Sequence, residues 1–130
     1  IYYKKMNNKK LTTSKTFELA FQNHQKNNFK VATNLYKEIL NIDPDHFGSN
    51  FLLGSLSIQI KNLSEAKQFL QKAIQINPNH VDAHNNLGTV FYELGESQKT
   101  ISCFQKAIQL NPNDVNAHSN LGAIFKKSLA

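Results

Sequence analysis

Apolar residues recur at three- and four-residue steps along most of this chain. Within residues 81–94, Ala83, Leu87, Val90, Phe91 and Leu94 fall on one stripe of a helical wheel. Residues 98–110 do the same through Ile101, Phe104, Ala107 and Ile108. Carried along the chain, the pattern predicts helices at 13–26, 29–41, 47–60, 63–75, 81–94, 97–109 and 115–129. Gly95 can adopt the left-handed conformation that ends a helix, and Asn27 and Asn62 mark the matching turns of the earlier pairs. Asn62 precedes Glu65 at the spacing of a capping box. Each proline closes a helix pair, because the residue before a proline is driven out of helical conformation.

The pattern itself repeats. The three prolines, Pro44, Pro78 and Pro112, stand 34 residues apart, since 78 − 44 and 112 − 78 both equal 34. Their surroundings repeat with them, as Asn41-Ile42-Asp43-Pro44, Gln75-Ile76-Asn77-Pro78 and Gln109-Leu110-Asn111-Pro112. Gln71-Lys72-Ala73-Ile74 returns as Gln105-Lys106-Ala107-Ile108, and Asn86-Leu87-Gly88 as Asn120-Leu121-Gly122. One helix pair cannot bury its own stripes, so neighbouring pairs must stack. The expected fold is all-α, an α-solenoid of antiparallel helix pairs with units at 13–46, 47–80 and 81–114 and a partial unit at 115–130. Residues 1–12 are expected to form a basic, flexible lead-in.

These residues resemble the tetratricopeptide repeat family, whose units join a Leu-Gly pair, a following aromatic, a small residue, a second aromatic and a closing proline. Leu87, Gly88, Phe91, Thr100, Phe104 and Pro112 fill those slots in the third unit. Leu53, Gly54, Ser57, Ala66, Leu70 and Pro78 fill them in the second. The first unit is more divergent, with Leu19, Ala20, Asn23, Ala32, Tyr36 and Pro44. Thr16, Asn50, His84 and His118 stand where the family often has tryptophan. The resemblance implies a right-handed superhelix whose first helices line a concave groove.

Within that family, Ala83-His84-Asn85-Asn86-Leu87-Gly88 and Ala117-His118-Ser119-Asn120-Leu121-Gly122 resemble repeats of O-linked N-acetylglucosamine transferases. There the asparagine before Leu-Gly grips peptide backbone along the groove. The resemblance therefore implies peptide-binding roles for Asn86 and Asn120. An amide suits the task because it donates and accepts at once and pairs with peptide units of any sequence. The earlier units carry Leu52 and Glu18 in that slot. The same geometry turns Asn85, Thr89, Tyr92 and Asn116 toward the groove, with Phe51 and Phe17 as aromatic anchors or as packing between first helices. Lysine and arginine are missing from the slots with which a related subgroup clamps chaperone tails, so that ligand is disfavoured.

Charge changes the picture little. The net charge is +6, but five lysines precede Glu18, the first acid, and all fifteen cations are lysine. Arginine, the side chain best shaped for bidentate phosphate or base contacts, is missing, which argues against specific nucleic-acid binding. No apolar run is long enough to span a membrane. The single cysteine, Cys103, suits a reducing compartment, so the expected location is cytoplasmic. His24, His46, His80, His84 and His118 show no ligand spacing, since equivalent residues of adjacent repeats lie about 10 Å or more apart. Neither a phosphate loop nor a nucleophile elbow is present. No metal, cofactor or catalytic site is expected.

The expected function is a protein–protein interaction scaffold that binds a peptide or extended segment. The alternative is the N-terminal recognition part of a longer enzyme such as a glycosyl- or sulfotransferase. Residues 115–129 keep Leu121, Gly122, Ile124, Phe125 and Leu129, an apolar stripe in place of a polar cap. That stripe leads to the expectation of a longer solenoid, with end-to-end self-association where the stripe is uncovered.

Overall fold

The computed structural model describes the backbone of residues 2–129 and the side chains of 12–127. It contains α1 (Tyr2–Gln25), α2 (Phe29–Ile42), α3 (Phe47–Gln59), α4 (Leu63–Ile76), α5 (Val81–Glu93), α6 (Ser97–Leu110) and α7 (Val115–Leu129). Among the described residues there is no strand. The most extensive contacts join α1 to α2, α3 to α4 and α5 to α6, and each pair then packs on the next. Short turns between consecutive helices make the neighbours antiparallel. The fold is an all-α solenoid.

Small residues set the closeness of each pair. A methyl group added at Gly54 would meet Leu70 Cγ at 2.7 Å, and one at Gly88 would meet Phe104 Cε1 at 2.6 Å. Leu70 and Phe104 are buried at these crossings, with Ala66, Ala73 and Ala107 fully buried beside them. Two cores result. Ala20, Ala32, Tyr36, Leu53 and Leu56 form one, and Ala66, Leu70, Leu87, Val90 and Phe91 the other. Each core joins residues from successive pairs, so no pair completes its core alone.

Two local expectations are corrected. The first helix begins at Tyr2, well before residue 13. The flexible character expected of residues 1–12 falls almost wholly on side chains outside the described residues. The left-handed turn residues are Asn27, Lys61 and Gly95, with φ of 62°, 64° and 78°. They stand one repeat apart, so Lys61, not Asn62, matches Asn27. Asn62 is the next residue along and caps α4, its side chain accepting from the Glu65 amide at 3.3 Å. The return half of a capping box is replaced by an ion pair, because the Glu65 carboxylate takes Lys37 at 3.0 Å.

Direct contact between α3 and α5 places the first helices on the inner side of the curve. No pair of second helices touches to that extent. The inner face is therefore built from α1, α3, α5 and α7.

Candidate functional site

Each junction between units is built from three positions. The first follows the proline turn and caps the next first helix. His46 Nδ1 accepts from the Ser49 amide at 3.1 Å, His80 Nδ1 from Ala83 at 3.2 Å, and Asp114 Oδ2 from Ala117 at 2.9 Å. Both histidines need an unprotonated Nδ1 to do this. The second position ties the helix to its turn. Asn50 Nδ2 donates to the Pro44 carbonyl at 3.0 Å, and His84 and His118 reach the Pro78 and Pro112 carbonyls through Nε2 at 2.7 Å each. A carbonyl only accepts, so Nε2 carries the proton in both rings.

The third position comes from the preceding first helix and covers the cap. Phe17 lies against the His46 ring at 5.0 Å between centroids, and Phe51 against His80 at 4.7 Å. In the third unit Asn85 Nδ2 donates to Asp114 Oδ2 at 2.7 Å. Three of the expected site residues thus share one structural duty. Phe17 also packs on Tyr36 and Phe51 stacks on Phe47 at 5.8 Å, and both are half-buried. Asn85 is only 6% exposed, and its Oδ1 is buried without a partner.

The remaining expected residues lie along the seams between first helices. Asn86 Nδ2 donates to Ser55 Oγ at 3.1 Å, joining α5 to α3. Thr89 Oγ1 donates to the Asn85 carbonyl at 3.2 Å. Tyr92 is exposed, with Lys127 Nζ donating to its hydroxyl at 2.9 Å and lying 5.2 Å from its ring centre. That hydrogen bond raises the Lys127 pKa. Asn120 is half-buried on α7, and Asn116 is exposed near its start. The structure brings Thr89, Tyr92 and Asn120 together around one pocket. Asn116 is not part of it.

The α1–α3 seam holds a bridge that the sequence analysis missed. His24 Nε2 meets Gln59 Oε1 at 2.7 Å while Nδ1 meets the Tyr36 hydroxyl at 3.2 Å. With the amide oxygen accepting, Nε2 carries the proton and Nδ1 accepts from tyrosine. Burial pushes the Tyr36 hydroxyl up to about 12 and the half-buried Cys103 thiol up to about 11. His24 shows no helical-spacing partner in sequence because both its partners lie on other helices. The caps did leave a signal, since 46, 80 and 114 are one repeat apart.

Among the described residues, no group of three or more His, Cys, Asp or Glu is placed to hold a metal ion. No helix among them is long and apolar enough to cross a membrane. The inner face offers amides, hydroxyls and aromatic rings. Those groups supply hydrogen-bond donors and acceptors beside apolar surface.

Comparison with known proteins agrees with this architecture. Family models described as tetratricopeptide repeat match residues 81–114 and 103–128, and one described as TPR repeat matches 54–95. No curated protein matches the chain significantly. A crystal structure of MamA protein aligns with TM-score 0.84 and 26% identity over 90% of this chain and 64% of that one. A mutant O-GlcNAc transferase from Thermobaculum terrenum aligns with TM-score 0.80 and 26% identity, covering 87% of this chain. This chain corresponds to only 22% of that transferase. The first TPR of Spaghetti, bound to an HSP90 peptide, shares the fold with TM-score 0.85 at 16% identity, over 91% of this chain and 94% of that one.

Proposed function

Because this chain belongs to the tetratricopeptide repeat family, we propose that it is an interaction scaffold holding a peptide or extended segment of another protein in the groove of α1, α3, α5 and α7. The observation that carries this reading is the amide row on the inner face. Asn86 and Asn120 occupy equivalent positions on α5 and α7, beside Thr89 and the exposed Tyr92. The similarity to a peptide-bound TPR domain supports it at the level of fold. Asn116 and Tyr92 extend the contact surface, while Phe17, Phe51 and Asn85 shape it from below.

Selection of random dodecapeptides displayed on phage tests the proposal. Enriched peptides should lose affinity to a protein carrying Asn86→Ala and Asn120→Ala together, and keep it when residues 1–10 are deleted. Binding that vanishes with residues 1–10 and ignores both asparagines would place the working surface elsewhere.

A second reading, recognition part of a longer glycosyl- or sulfotransferase, draws on the 26% identity to part of an O-GlcNAc transferase. A transferase domain encoded in frame after residue 130 would support it, and a stop codon there would end it. End-to-end self-association is proposed through α7, where Val115 and Phe125 are 73% and 49% exposed. Sedimentation that is independent of concentration, and unchanged by Phe125→Ser, would remove that proposal.

A further inference from the structure

The two seams on either side of α5 use equivalent residues differently. Between α3 and α5, Asn86 Nδ2 reaches Ser55 Oγ at 3.1 Å and closes the seam. One repeat later the corresponding pair is Asn120 and Thr89, because 86 + 34 = 120 and 55 + 34 = 89. No hydrogen bond between them is present among the described residues, although Thr89 Oγ1 donates to the Asn85 carbonyl just as Ser55 Oγ donates to that of Phe51. Asn120 and Thr89 instead share the lining of a pocket of about 190 Å³ with Tyr92, Phe104, Ala123 and Ile124. The seam that is closed on one side of α5 is open on the other.

We propose that this pocket is an anchor site for one aliphatic side chain of an extended peptide, whose adjoining backbone unit pairs with the Asn120 amide. The inference rests on the groove reading above and sharpens it. The pocket is the size for one side chain, being smaller than the roughly 300–1,000 Å³ typical of small-molecule sites. The lining selects an apolar occupant. Phe104, Ala123, Ile124 and the Tyr92 ring present carbon, and none of the six side chains is a carboxylate, ammonium or imidazole. Lys127, held on the Tyr92 hydroxyl beside the pocket, repels an incoming lysine or arginine.

The polar part of the lining selects an extended backbone. Asn120 offers one donor group and one acceptor, which match a single peptide unit. In an extended segment those peptide groups are unpaired and available, whereas a helix has already satisfied its own. The side chain and the backbone contact are thus adjacent, as they are along one residue of a strand-like ligand. Tyr92, 44% exposed, supplies the wall that a bound side chain would cover.

The test uses N-acetyl-leucine N-methylamide, which carries one aliphatic side chain between two peptide units, with the glycine analogue as control. In a nitrogen–proton correlation titration the leucine compound should produce saturable shifts at Thr89, Tyr92, Asn120 and Ala123, and the glycine compound should not. Ala123→Phe, at an exposed position, should fill the pocket and abolish those shifts while the helical circular dichroism is kept. Equal shifts from both compounds, or none at these residues, would overturn the anchor pocket even if the Ala123 variant failed to fold. The groove reading is judged separately, by selected peptides that depend on Asn86 and Asn120. Peptides with that dependence but no aliphatic position in common would leave the groove standing and remove the pocket.

Discussion

Asn85 donates from Nδ2 to Asp114 Oδ2 at 2.7 Å, and the same oxygen caps α7 by accepting from the Ala117 amide at 2.9 Å. One carboxylate thus ends a turn, starts a helix and takes the buried Nδ2 of an asparagine in the preceding unit. Replacing it should cost more than a cap alone. A lost cap is worth about 0.5–2 kcal/mol, and an orphaned buried amide adds about 1–3 kcal/mol. Asp114→Ala should therefore lower the stability in urea by about 2 kcal/mol or more, while Asp114→Asn, which keeps an acceptor, loses much less. Asp45→Ala is the control, since the Asp45 side chain is 72% exposed and forms a surface ion pair with Lys72. Equal losses at 114 and 45 would show that the junction bond contributes nothing.

The equivalent junctions separate capping from packing. His80 caps α5 through Nδ1 and also lies 4.9 Å from the Phe47 ring and 4.7 Å from that of Phe51. His80→Asn should keep the cap and lose the ring contacts. His80→Ala should lose both, so it should be the less stable by about 1 kcal/mol. Thermal unfolding of the pair checks the order. An alanine variant as stable as the asparagine variant would mean that the ring contacts alone matter.

The sequence made the repeat, the helix pairs and the small residues legible because each recurs at one spacing. Gly54 against Leu70 and Gly88 against Phe104 show the same contact one repeat apart. The junction roles were harder to see, because their chemistry changes from unit to unit. Phenylalanine on histidine at 17 and 46 becomes asparagine on aspartate at 85 and 114, so a residue-type comparison conceals a shared position. Asn85 read as a groove residue for the same reason, since its bond to Asp114 spans two helices. The His24–Gln59 bridge could not be read at all, as it depends on how adjacent units stack.

Equivalent glycines should respond in opposite directions. Gly54 and Gly88 lie under Leu70 and Phe104, so Gly54→Ala and Gly88→Ala should be destabilising by about 1–3 kcal/mol through overpacking. Among the described residues nothing lies within 4 Å of a methyl group at Gly122. Gly122→Ala should instead add about 0.5–1 kcal/mol, since alanine loses less freedom in a helix. Urea titration of the three variants reads the signs directly. A destabilised Gly122→Ala would indicate that something covers this face in solution.

Alkaline pH should loosen the fold at two known places. The Tyr36 hydroxyl is raised from 10.0 to about 12 and the Cys103 thiol from 9.0 to about 11, both by burial. In each case folding favours the neutral form, so the contribution is complete below the unfolded value. It is lost as pH rises through the folded value. Stability should be insensitive to these groups up to about pH 9 and fall between about pH 9 and 12. Tyrosinate absorbance should show a late step near 12 that is missing in Tyr36→Phe, and Cys103 should alkylate slowly at pH 8 until urea unfolds the chain. Rapid native-state alkylation would contradict the burial.

The two asparagines should part company when measured one at a time. Asn86 holds Ser55 at 3.1 Å in a partly buried seam, so Asn86→Ala should cost about 0.5–1.5 kcal/mol of stability as one hydrogen bond is lost. Asn120 borders an opening and should cost almost nothing when changed to alanine. For a groove peptide the balance reverses. Asn86 commits one Nδ2 hydrogen to Ser55 and keeps the other hydrogen and Oδ1 for a ligand in the orientation that bond fixes, whereas Asn120 can turn its whole amide to a peptide. Asn120→Ala should therefore account for most of the affinity loss. The double variant should lose about 1–3 kcal/mol, equivalent to roughly 5- to 150-fold in Kd. Calorimetry with a selected peptide, beside unfolding curves of the same proteins, separates the two quantities. An affinity loss confined to Asn86→Ala and tracking its loss of stability would mean that the seam, and not the ligand, is what these amides serve.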